Sequence, residues 1–136
     1  MGDLDFEEAV SIYTEVVKAG VRGGADLILI ETMSDTYELK SSGSGGKGKF
    51  RSSNHLQPQF SNGKGKLLTG GTPKSVVALL EGLGVDALGI NCGLGPVQMK
   101  PIVEELLRYA SIPVVVNPNA GLPRSEGGKT VYDIDP

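Results

Sequence analysis

Three short aliphatic runs constrain this chain more than any other feature: "ADLILIE" at residues 25–31, "DALGINC" at 86–92 and "IPVVVNPN" at 112–119. Each has the length of a strand and closes on polar residues. A continuous apolar run of that length suits a strand buried on both faces, the condition of strands in a parallel sheet. Helical spacing fills the intervals. Phe6, Ala9, Val10, Tyr13, Val16 and Val17 line one face of a helix over 5–19, with Asp3 or Asp5 as cap and Glu7 and Glu8 in the first turn, where the helix dipole favours negative charge. "SDTYELK" at 34–40 starts another, capped by Ser34 or Asp35. Thr72 and Pro73 open a third, running to Leu83 with Gly84 closing it, and Pro96 or Pro101 opens a fourth ending at Ala110. A short hairpin is expected around Gly127-Gly128. Alternating helices and strands predict an α/β fold with parallel strands.

The alternation breaks at 41–66. That tract holds six glycines and six serines among 26 residues, and its only large apolar groups are Phe50, Leu56 and Phe60. Such a composition cannot bury enough surface to offset the entropy of ordering it, so a Gly/Ser/Lys-rich aberrant or disordered segment is expected there. It carries Lys47, Lys49, Arg51, Lys64 and Lys66 and no acid, so it holds +5 of a chain whose net charge is −3. Its two aromatics show no pattern that would seat bases, and no nucleic-acid partner is expected. His55, the only histidine, lies in this tract and takes no catalytic role.

The remaining gross features bound the class. With 136 residues, the chain is long enough for one ordinary domain and too short for a complete eight-unit (β/α) barrel, which needs at least about 200. One cysteine excludes an intramolecular disulfide. No basic, apolar leader stands at the N-terminus, and no aliphatic run approaches the roughly 20 residues of a membrane span; a cytoplasmic protein without a membrane partner is expected.

In parallel α/β proteins, sites are built at the carboxyl ends of the strands. Those ends hold Glu31-Thr32, Asn91-Cys92 and Asn117 with Asn119. Taken alone, each residue has a plainer role. Cys92 reads as a buried structural thiol, Glu31 as a helix cap or the partner of a lysine, and the asparagines flanking Pro118 as turn formers. The "GLGPVQ" stretch after Cys92 places glycines between a strand and a helix, as an anion loop would, but has Gln98 where a third glycine belongs.

Taken together, "DLDFEEAVSIYTE", "ADLILIETMSDTYELK", "DALGINCGLGP" and "PVVVNPNAGLP" resemble the homocysteine S-methyltransferase family, in particular the homocysteine-binding module of cobalamin-dependent methionine synthase. The resemblance covers residues 2–40 and about 66–136. It implies an incomplete (β/α)8 TIM-type barrel, from the helix before the fourth strand to the loop after the seventh, forming a partial homocysteine-binding domain over 1–136. It further implies methyl transfer to the homocysteine sulfur, giving methionine. Homocysteine, zinc, methylcobalamin on another module, and cobalamin- and folate-binding partner modules come with it. By the same resemblance Cys92 stands where the first of three zinc-binding cysteines would be, and Asn119 is the residue that approaches the metal. Glu31 holds the substrate amino group, with Thr32 and Asn91 beside it in the substrate site. The adjacent Cys-Cys pair that completes the zinc site in the family is not found in this sequence, so weak zinc binding and no stand-alone activity are expected. Two other readings stay open: a non-enzymatic gene fragment, and a doubly wound α/β piece that binds an anion through "GLGP".

Overall fold

The computed structural model describes residues 3–45, 53–58, 60, 65–121, 123–132 and 134. Helix α1 (Phe6–Arg22) leads into strand β1 (Leu27–Met33), and the order continues with α2 (Thr36–Gly45), β2 (Ser53–Pro58), α3 (Pro73–Gly82), β3 (Ala87–Asn91), α4 (Pro96–Tyr109) and β4 (Val114–Asn117). A hairpin follows, β5 (Arg124–Glu126) with β6 (Lys129–Val131), joined through Gly127 and Gly128, both in the left-handed region that such turns require.

Local chemistry sets the helix ends. The Asp5 carboxylate accepts from the Glu7 and Glu8 amides to cap α1, and Asp35 does the same for α2 from Tyr37 and Glu38. Thr72 and Ser75 form a reciprocal capping box at the start of α3, with Pro73 in the first turn. Among the described residues no helix is long and apolar enough to cross a membrane.

The four main strands pair in chain order, β1-β2-β3-β4, all parallel. A doubly wound sheet reverses its strand order at a switch point, whereas a (β/α) barrel adds each strand beside the last. The order here is the barrel's, and it argues against the doubly wound alternative. What the described residues form is an open arc of four strands, not a closed barrel.

The tract expected to be disordered contributes to this arc. Helix α2 continues past Lys40 because Ser41 and Ser42 are fully buried with their hydroxyls donating to the Glu38 and Leu39 carbonyls, at 3.0 and 3.1 Å. A buried serine whose hydroxyl is satisfied within its own helix leaves no orphaned polar group. Residues 53–58 then supply the strand that links β1 to β3, with Leu29 opposite His55 and His55 opposite Ala87. Phe60 and Leu67 are buried in the core. The rest of the disorder expectation, on 46–52, 59 and 61–64, lies outside the described residues.

The core sits between one face of the sheet and the helices. Ile30, Leu88 and Ile90 point into it from the strands, and Leu39, Val76, Leu80, Met99, Ile102 and Leu106 meet them from α2, α3 and α4. On β1 the alternate residues face the other way: Leu27 and Leu29 are 46 % and 45 % exposed.

Gly89 of β3 pairs with Val115 of β4, and a Cβ at residue 89 would lie 1.9 Å from the Val115 carbonyl oxygen. Gly89→Ala is therefore expected to destabilise the fold by about 1–3 kcal/mol, the usual cost of overpacking. A lower denaturant midpoint at unchanged slope would register it, and an unchanged midpoint would contradict this strand pairing.

Candidate functional site

Because the strands are parallel, the ends of β1, β3 and β4 share one end of the sheet. Two side-chain hydrogen bonds join the first two of these ends. Asn91, the last residue of β3 and only 3 % exposed, accepts from the Thr32 amide at 3.0 Å through Oδ1, and its Nδ2 donates to Thr32 Oγ1 at 2.7 Å. Strand β2 lies between β1 and β3 in the sheet, so this tie spans it.

Thr32 sits where the β1–β2 register shifts, between Glu31 and Met33. Its φ is 64°, and that of Cys92 is 53°; among the described residues they are the only non-glycines in the left-handed region. A β-branched residue in that conformation is costly and persists only where its surroundings hold it, and such positions cluster at functional sites.

Backbone hydrogen bonds join the second pair of ends. The Cys92 amide donates to the Asn117 carbonyl at 3.2 Å, the Cys92 carbonyl accepts from the Leu94 amide at 2.8 Å, and the Asn119 amide donates to the Leu94 carbonyl at 3.0 Å. Gly95 and Gly121 touch where these two loops meet, since a Cβ on Gly95 would lie 2.9 Å from the Gly121 Cα. That contact accounts for Gly95 of "GLGP" by close packing, and Gly93 takes a left-handed φ of 72°.

Glu31 precedes the bulge and is exposed. It lines a cavity of about 280 Å³ together with Tyr13, Val16 and Val17 of α1 and Leu29 and Met33 of β1. It caps no helix, a task that falls to Asp35, and pairs with no lysine among the described residues. The plainer readings of Glu31 therefore find no support in the contacts of its side chain.

The structure thus brings Thr32 to Asn91 and Cys92 to Asn119 through Leu94, with Glu31 beside the first pair. Cys92 is a half-buried free thiol. No group of three His, Cys, Asp or Glu side chains able to hold a metal occurs among the described residues. A catalytic zinc takes three protein ligands, and one thiol with one amide does not make that donor set. Sequence reasoning missed Leu94, whose backbone joins the two loops, and the left-handed turn of Thr32. Neither carries a signal in residue type.

An α/β chain with parallel strands in barrel order and interlocked polar strand ends is the class defined so far. The family model for homocysteine S-methyltransferase matches residues 1–136, including the Gly/Ser-rich tract, and the chain belongs to that family. Methionine synthase of Mycobacterium tuberculosis is 35 % identical over 127 residues, covering 90 % of this chain and 11 % of that protein. The Mycobacterium leprae enzyme is 33 % identical and covers all of this chain and 12 % of its own length. The homocysteine methyltransferase MmuM from Escherichia coli superposes in its apo form with a TM-score of 0.78 and 27 % identity, over 88 % of this chain and 46 % of that one. Its metallated form gives 0.71 and 28 %, over 82 % and 40 %. The chain therefore spans about an eighth or less of the methionine synthases and less than half of MmuM.

Tyr13, on the cavity wall, donates to Met33 Sδ at 3.8 Å. Burial, and secondarily the Glu38 carboxylate, raise its pKa above the usual 10.0. The folded state thus favours the neutral phenol, so stability is full below the unfolded pKa and falls as pH rises through the folded one. Thermal melts above about pH 10 should show this loss, and Tyr13→Phe should reduce it; an unchanged slope would sink the assignment.

Proposed function

We propose that this chain carries part of a homocysteine site, the portion built by the ends of β1, β3 and β4, and that it does not transfer methyl groups by itself. The observation that supports this best is the interlocking of those strand ends at one end of a parallel sheet in a member of the homocysteine S-methyltransferase family. Glu31 accepts from the substrate ammonium group. Thr32 and Asn91 complete that end of the site, and Cys92 and Asn119 lie on the side where the substrate sulfur belongs.

In the reaction of the family, the sulfur of homocysteine becomes the nucleophile that takes a methyl group, giving methionine. A zinc ion held by three cysteines would favour the deprotonated form of that sulfur, and in the cobalamin-dependent relatives methylcobalamin on another module would be the methyl donor. The single thiol of Cys92 with the amide of Asn119 does not fit that zinc, and no step is assigned to a metal here. The proposed role is binding and orientation of the amino acid, within an assembly that includes cobalamin- and folate-binding modules.

Zinc affinity at neutral pH, read by competition with a chromophoric chelator, is expected to be weak and little changed by Cys92→Ser or by homocysteine. Tight binding that the substitution abolishes would show that further ligands are recruited, and would overturn the inactive reading. Homocysteine titrated at millimolar concentration should shift the amide resonances of Glu31, Thr32 and Asn119. Glu31→Gln should weaken that binding about tenfold, the lower range for losing a charged hydrogen bond.

A further inference from the structure

We propose that Asn91 is a positioning residue that turns the Thr32 hydroxyl into a hydrogen-bond donor for the carboxylate of the bound amino acid, a role that rests on the homocysteine reading above. Hydrogen-bond valence leads to this assignment. The Thr32 backbone amide can only donate, so the Asn91 atom facing it at 3.0 Å must be the carbonyl oxygen. The atom facing Thr32 Oγ1 at 2.7 Å must then be the amide nitrogen, which only donates. Thr32 Oγ1 is thereby committed as an acceptor on its Asn91 side, and its one proton has to point elsewhere. Among the described residues that hydroxyl donates to none, and Thr32 is exposed at the carboxyl end of the sheet.

The bulge gives this donor its direction. Successive residues of a regular strand face opposite sides, so Glu31 and Thr32 could not serve one ligand. The left-handed turn at Thr32 breaks the alternation, as bulges do where they re-aim a side chain. An α-amino acid carries ammonium and carboxylate on one carbon. Glu31 accepting from the first and the Thr32 hydroxyl donating to the second is the complement of that zwitterion. Asn91, buried behind them, touches Thr32 and not the ligand.

Asn91→Asp tests this with little change of shape. The carboxylate still accepts from the Thr32 amide but cannot donate to Oγ1, so the hydroxyl proton turns inward and a lone pair faces the ligand. Nuclear magnetic resonance titration should show homocysteine binding weakened about tenfold or more, while its decarboxylated analogue homocysteamine changes by less than about twofold. Thr32→Val should give the same pattern, and Asn91→Asp should add nothing in that background. A further loss there would mean simple charge repulsion and would overturn the proposal, as would equal effects on both ligands or none on either.

The tie is also read without ligand. Exchange of the Thr32 amide should be slow in the native chain and in Asn91→Asp, and faster by about tenfold or more in Asn91→Ala. Unchanged exchange in Asn91→Ala overturns the tie itself. If the native chain binds neither ligand, the homocysteine reading falls and the carboxylate role falls with it. Native binding that Asn91→Asp leaves intact overturns the positioning role alone.

Discussion

Every strand of the main sheet runs the same way because each is joined to the next by a helix that carries the chain back to its starting end. That constraint decides where chemistry can occur. It places Glu31, Thr32, Asn91, Cys92, Asn117 and Asn119, which the sequence scatters over nearly ninety residues, at one end of one sheet. It also fixes the burial of β3, enclosed at all five positions, so that its last residue can reach toward β1 only through a side chain free of water.

The strand ends are joined with backbone strain held by hydrogen bonds. Thr32 and Cys92 adopt conformations that cost free energy in isolation, and each lies where two strand ends are joined. Asn91 supplies both bonds at the first junction, and the Leu94 backbone supplies two at the second. Asn91 is buried, so water is excluded from its side of these bonds, which strengthens the hold of a single amide on a left-handed threonine.

The strand ends stand on a sheet with one covered and one open face. Helices cover Ile30, Leu88 and Ile90, while Leu27 and Leu29 remain about half exposed. The superposition on less than half of MmuM agrees with an arc of four strands.

The sequence by itself determined the elements whose physics is local. Asp3 or Asp5, Ser34 or Asp35, and Thr72 announce helix starts, the aliphatic runs announce β1, β3 and β4, and Gly127-Gly128 announces a hairpin, because caps, turns and periodicity act over a few residues; the structure chose Asp5 and Asp35. It also showed which polar residues close the strands. Only the tertiary structure decided that "SNHLQP" is a strand, since its apolar content is low and its place comes from β1 and β3 on either side. Likewise Ser41 and Ser42 read as helix-breaking until their burial against the core is seen. The tie between Asn91 and Thr32 joins residues 59 positions apart, and no local preference of either residue encodes it. Long-range pairing of polar atoms depends on where the backbone has already brought them, and that is set by the packing of the whole sheet.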